Sequence, residues 1–146
     1  MKVYHSTNKQ NLAKIMLSGL KINSQNEGYA QDAKWATMHY GNIWPIFVSL
    51  SPGIYDGIVL EIELPEEFIL YPDLPELIET GAYLTEDNKL SWELDPDELV
   101  DILNNGEIEI QELMENPEAR KAAISLTGTA VILQNIPSKF IQMKGE

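Results

Sequence analysis

The chain has 146 residues, 44% of them apolar, and carries 10 basic against 23 acidic side chains, a formal charge of −13. That length and apolar share suit a single domain over residues 1–146, and no apolar run approaches the roughly 20 residues needed to cross a bilayer. The absence of cysteine excludes disulfides and thiolate zinc sites, and a field of this sign opposes direct reading of a nucleic-acid groove.

Lys2 to His5 reads as a short strand, with Val3 and His5 on one side and Tyr4 on the other. Thr7 fits the N-cap of a helix, Gln10 completes a capping box, and Leu12, Ile15, Met16 and Leu20 follow a helical period. Gly19 supplies the stop. A polar loop over 23–28 leads to a weakly helical stretch over 30–40 that holds Trp35 and ends at Gly41-Asn42. Ile46 to Leu50 is a strand closed by Ser51-Pro52-Gly53. Gly57 to Leu64 is the strongest strand, with Leu60, Ile62 and Leu64 on one face and Glu61 and Glu63 on the other, solvated one.

Phe68 to Tyr71 and Ala82 to Leu84 are shorter strands between turn signals. Asp95 caps a helix with Pro96 in its first turn, and Glu98 completes the box. Its apolar face is Leu99, Val100, Ile102 and Leu103, and Asn105-Gly106 ends it. A second helix starts at Asn116-Pro117 and runs to about Ile124. Ala130 to Leu133 and Phe140 to Met143 close the chain through Asn135-Ile136-Pro137. Strands spaced unevenly among helices, with no βαβ rhythm, give an α+β class with a split, mixed or antiparallel sheet and peripheral helices. The N-terminus has no charged start followed by an apolar run, so the expected location is cytoplasmic.

Of the two histidines, His39 lies in the weak helix and reads as surface. His5 closes a strand just before a helix N-terminus, where free N–H groups and the positive dipole end suit an anion, with Ser6 and Thr7 adding hydroxyls. The competing reading is that Thr7 simply caps the helix and His5 packs beside it. Trp35, Trp44 and Trp92 are candidates for a cleft wall or for core.

Tyr4-His5-Ser6-Thr7, followed by a helix ending Ser18-Gly19-Leu20, resembles the opening motif of ADP-ribosyltransferases of the diphtheria-toxin and PARP type. Ile46-Phe47-Val48-Ser49-Leu50 resembles that family's second motif, an aromatic-rich strand ending in serine. Ile136-Pro137-Ser138-Lys139-Phe140-Ile141 resembles the closing segment of small bacterial and phage members. The resemblance implies an ADP-ribosyltransferase-like fold that binds NAD. On it, His5 holds the adenosine-side ribose, with Ser6, Thr7 and Ser49 beside the nucleotide.

The family's nicotinamide-stacking tyrosine falls at Val48 here, so Tyr55 takes that role, with Tyr29 and Tyr40 as alternatives. Its third motif places a glutamate at the start of the penultimate strand, where this chain reads Thr127-Gly128-Thr129-Ala130-Val131. Glu118, on the preceding helix, is then the catalytic candidate. RNA 2′-phosphotransferases share the fold but grip phosphate with several arginines, and this chain has Arg120 alone.

Three functions follow. The first is transfer of ADP-ribose from NAD to a protein or nucleic-acid target, as an effector or toxin. The second is a degenerate member that binds a nucleotide or partner without turnover. The third is an acidic mimic or inhibitor of a basic protein surface. No metal site and no membrane association are expected.

Overall fold

The computed structural model describes residues 1–23, 39–54, 57–93, 97, 99–103 and 106–144. Among these residues two antiparallel sheets, four α-helices and a short 3₁₀ helix (Ser138–Phe140) are the regular elements, an α+β fold. The larger sheet is built from β1 (Lys2–Thr7), β2 (Ile46–Ser49), β3 (Ile58–Glu63), β4 (Tyr71–Pro72), β8 (Thr129–Ile132) and β9 (Ile141–Met143). Their spatial order is β4-β8-β2-β1-β3-β9. The smaller sheet runs β5-β6-β7, from β5 (Tyr83–Leu84), β6 (Lys89–Ser91) and β7 (Glu107–Glu109). Every pairing among the described strands is antiparallel, so the mixed alternative for the sheet does not arise.

Strand alternation puts the large sheet between two apolar clusters. Val3, Ile46, Val48, Leu60, Ile62, Ala130, Ile132 and Ile141 belong to one, together with Ile15 of α1 (Lys9–Ser18). Val131 belongs to the other, with Leu74 and Leu77 of α2 (Leu74–Glu79), Ile110 and Leu113 of α3 (Ile110–Glu115), and Leu90 of the small sheet. α4 (Pro117–Thr127) feeds both, Ala119 and Ala123 into the second cluster and Ile124 into the first.

Local sequence explains most element ends, with some corrections. β1 runs through Thr7, which pairs with Ile58. Thr7 therefore remains extended, and the N-cap passes to Asn8, whose Oδ1 accepts from the Asn11 N–H at 2.9 Å. Gly19 ends α1 as expected, its N–H donating to Ile15 O. α4 begins at Pro117, with Asn116 accepting from Glu118 and Ala119, and continues to Thr127, a turn beyond Ile124.

Of the strand expected over 68–71 only Tyr71 is extended in a ladder, as Tyr71–Pro72 paired with Val131 and Ala130. The helix expected after Asp95 is not formed by its described residues. Asp97 and 99–103 make turns, with the Leu103 N–H on Leu99 O at 3.0 Å. Leu99 is fully buried, and Ile102 and Leu103 pack half-buried against the same cluster, while Val100 is half exposed. The expected caps Asp95 and Glu98, and the weak helix up to residue 38, lie outside the described residues.

Candidate functional site

The large sheet is tightly zipped on one side of β1 and open on the other. β1 pairs with β3 at all six of its residues, from Lys2↔Glu63 to Thr7↔Ile58. With β2 it pairs at a single position, Tyr4↔Ser49. Past that point, toward Thr7, no paired position joins the two strands among the described residues, and His5 stands in the opening.

The His5 ring reaches across: Nδ1 lies 2.7 Å from the carbonyl oxygen of Phe47 on β2. A carbonyl only accepts, so Nδ1 carries the proton, and in neutral imidazole Nε2 is then an acceptor. Burial pulls the pKa of His5 below its ordinary value, against the smaller upward pull of the Phe47 bond. A neutral ring with a fixed tautomer follows, presenting a lone pair to whatever donates a hydroxyl.

The next two residues of β1 are polar, while across the ladder His5 faces the buried Leu60. Ser6 and Thr7 are half-buried on the same strand. The Thr7 carbonyl is closed off by Gly57, where a Cβ would come within 2.7 Å of Thr7 O. Ser49 sits at the closed end of the opening, opposite Tyr4. It is 3% exposed, and its Oγ donates to Ser51 O at 2.9 Å, holding the turn that ends β2. Alternation gives Ser49 the face of Tyr4, whereas His5 and Thr7 take the other face. The expected ligand set is thus divided, with His5 and Thr7 together and Ser49 behind them. Tyr55 lies outside the described residues, as do Tyr29 and Trp35. The alternative Tyr40 is core: its hydroxyl donates to Pro72 O at 2.6 Å and accepts from the Leu74 N–H at 3.0 Å.

Glu118 occupies the first turn of α4, its N–H donating to Asn116 Oδ1 at 2.9 Å. It lines an open hollow with Glu112, Glu115, Asn116 and Pro117, all from the α3–α4 junction and none from β1 or β2. Where the resemblance asks for an acid, at the start of β8, stands a pair of hydroxyls. Thr129 Oγ1 donates to Thr127 Oγ1 at 3.0 Å, and Thr129 is 1% exposed.

One carboxylate is more enclosed than its sequence setting suggested. Glu61 lies opposite Tyr4 on β3, accepts from Gln142 Nε2 at 2.6 Å and lies 3.9 Å from Lys2 Nζ. Its side chain is 16% exposed. Strict alternation in Ile58–Glu63 marked it as solvated, and pairing with β9 through Glu61↔Gln142 is what covers it. It also lines a hollow of about 420 Å³ with Glu63, Lys139, Phe140 and Gln142. Trp92 is core, 6% exposed, and its indole N–H has no partner among the described residues.

Among the described residues no group of histidine and carboxylate side chains is arranged to hold a metal, and no helix is long and apolar enough to cross a membrane. Comparison with protein-family models, with curated proteins and with solved structures finds no match.

Proposed function

We propose that the opening between β1 and β2 binds NAD through its adenosine-side ribose, and that the chain transfers ADP-ribose to a macromolecular target. The observation that carries this reading is the His5 imidazole, held by Phe47 O with its pKa lowered by burial, whose Nε2 has no hydrogen-bond partner among the described residues and is the ring's acceptor for a ribose hydroxyl. Thr7, on the same face, adds a hydroxyl that donates or accepts. NAD supplies an N-glycosidic bond whose cleavage builds positive charge on the second ribose.

The His5–Thr7 face has hydrogen-bonding groups for the first ribose, but among the described residues no charge is placed to meet the second. Stabilisation of developing charge calls for a fixed opposite charge within contact, worth several kcal/mol, roughly 3 for one well-placed group. The start of β8 offers the Thr127–Thr129 hydroxyl pair instead, and Glu118 keeps the company of α3. This favours a second reading, nucleotide binding with little or no turnover.

A thermal shift at millimolar NAD and at millimolar ADP-ribose, run beside His5→Ala and followed by a nicotinamide-release assay, tests both. A ligand that binds only the folded chain raises its stability by RT ln(1 + [L]/Kd), about 1.4 kcal/mol at ten times Kd. Stabilisation lost in His5→Ala together with nicotinamide release supports the transferase. Stabilisation without release supports the binder. No shift with either ligand refutes both and leaves the acidic surface as the functional feature.

A further inference from the structure

Charge is unevenly placed along the chain. Residues 1–26 hold four lysines and no acid, whereas the other 120 hold six basic and 23 acidic side chains. The acid-free stretch includes α1, a helix that buries little of itself. Ile15 is its one buried residue, and Leu12 is half-buried. At about 100° per residue, Leu17 stands roughly 160° from Ile15, on the outermost line of the helix. It is 83% exposed. Ala13 and Lys14 lie one turn before it and Lys21 four residues after it, all exposed. A lone surface leucine is ordinary. A leucine directly opposite the helix's core side, with exposed Lys14 beside it in an otherwise acidic molecule, is a face with a preference; Lys21 lies beyond the helix end at Gly19.

The matching surface is on the same molecule. Glu112, Glu115 and Glu118 line the open α3–α4 hollow, about 610 Å³, with Asn116 and Pro117. Arg120, nearby in sequence, is directed elsewhere. Its Nη1 donates to the carbonyls of Met114 and Glu115, both at 2.9 Å, and its guanidinium lies over the Tyr71 ring. α1 and α3 belong to the clusters on opposite faces of the large sheet, so the helix does not reach the hollow of its own chain.

We infer that the outer face of α1 is a docking surface for a second copy of this chain, whose α3–α4 hollow receives Lys14 and Leu17. A basic face meets an acidic one. Because the two surfaces differ and face opposite ways, the contact is head-to-tail. A ten-residue helix laid in an open hollow buries less than about 1,000 Å² in total, the range of weak and transient contacts. The charge of −13 on each copy opposes approach at long range, but that repulsion is screened beyond about 10 Å at 0.1 M salt, whereas charges in contact are screened less. Association is therefore strongest near 0.1 M salt, falling at 0.01 M through whole-molecule repulsion and at 0.5 M through screened contacts.

Sedimentation velocity of the full chain from 0.02 to 1 mM at those three salt concentrations tests this, with Lys14→Glu and Glu115→Lys beside the wild type. Circular dichroism first establishes that both variants are folded. The expected result is reversible association of the wild type, weakened tenfold or more by either charge reversal. Mixing the two variants should restore a one-to-one complex, because each keeps the surface the other has lost. Three results would overturn the inference. One is a wild type that stays monomeric at 1 mM and 0.1 M salt. Another is association that neither variant alters. The third is a monomeric chain whose α1 binds vesicles of phosphatidylserine and phosphatidylcholine in a Lys14-dependent way, which would assign the face to an anionic lipid surface.

Discussion

His5 Nδ1 and Phe47 O, 2.7 Å apart, hold β1 and β2 together where their ladder stops at Tyr4↔Ser49. A side chain thus takes over from backbone pairing, and the ring that does so is fixed in one tautomer. The same contact sets the stability of this part of the sheet and the chemistry available in the opening.

The pH dependence of folding should expose that contact. Burial lowers the pKa of His5, so the unfolded chain binds a proton more readily than the folded one. Stability from this source is complete above the ordinary value of 6.5 and is lost as pH falls from there through the lowered folded value. His39 is shifted the same way by burial and contributes in the same direction. Urea denaturation at pH 7.5, 6.5 and 5.5 should show the wild type weakening as pH falls. His5→Asn keeps an N–H donor and does not titrate, so its slope should be shallower, and His5→Asn with His39→Gln flatter still. Equal slopes in wild type and His5→Asn would mean that His5 is protonated freely in the fold.

Gly19 should prove the least replaceable glycine of α1 and its flanks. It has φ +84, and a Cβ built on it would lie 2.2 Å from Ile136 O and 3.0 Å from Ser138 N. Ile136 O belongs to the bridge in which the Leu20 N–H donates to Ile136 O and the Ile136 N–H to Leu20 O, both at 2.9 Å. Gly19→Ala therefore meets backbone that is already bonded and should cost roughly 3 kcal/mol, combining strain with a clash. Gly41, at φ +71, faces open space, so Gly41→Ala should cost only about 1 kcal/mol from its conformation. Urea denaturation of the two variants checks the difference. Similar costs would show that the Ile136 carbonyl yields easily.

The elements readable in the sequence were those whose signals are local. The alternation of Leu60, Ile62 and Leu64 marked β3, the Asn116-Pro117 pair marked the start of α4, and Gly19 marked the end of α1. Elements whose partners are distant were not readable. Lys89–Ser91 and Glu107–Glu109 are three-residue strands that exist because they pair with each other, through Lys89↔Glu109 and Leu90↔Ile108. α2 has a proline and an acid in its first turn, and part of its start is held from outside, by Tyr40. At the candidate site, position in sequence grouped His5, Ser6 and Thr7, and the family resemblance added Ser49 to the set. Neither gave a sign that the strand pairing would put Ser49 on the other face, or that Gln142 would cover Glu61. Thr7 and Asn8 are both good caps, and a β1 paired through Thr7 decided between them.

Tyr40→Phe should be costly for a change of one oxygen. The hydroxyl joins Pro72 O to the Leu74 N–H, which is an orphan donor of the first turn of α2. Pro72 and Leu74 are buried, so phenylalanine leaves a carbonyl and an N–H without partners, at about 1–3 kcal/mol each by the usual cost of a buried unmet group. A loss on the order of 3 kcal/mol in urea denaturation is expected. Burial holds the Tyr40 phenol well above 10, so its stabilisation is full below pH 10 and is lost as pH rises past it. In an alkaline absorbance titration Tyr40 should ionise only as the chain unfolds, and the phase it contributes should be missing in Tyr40→Phe.

Glu76 carries the opposite liability, at the acidic side of the scale. Burial raises its pKa, and Glu79, Asp73 and a hydrogen bond with Glu79 raise it further. A carboxyl held above its ordinary value favours the fold when protonated, so at neutral pH the ionised form works against folding and the deficit disappears as pH falls through the raised value. Glu76→Gln removes the charge while keeping the shape. The group is half-buried and solvent screens much of the repulsion, so the gain in Tm at pH 7 should be small, about 1 °C. Removing any one negative charge from a chain at −13 also eases general repulsion. Glu93→Gln, at an exposed site distant in sequence from α2, measures that background. Scanning calorimetry at pH 7 and pH 4 separates the two effects. Glu76→Gln should exceed Glu93→Gln at pH 7, and the excess should vanish at pH 4, where Glu76 is already protonated. Equal gains at pH 7 would mean that Glu79 and Asp73 do not press on Glu76 in the folded chain.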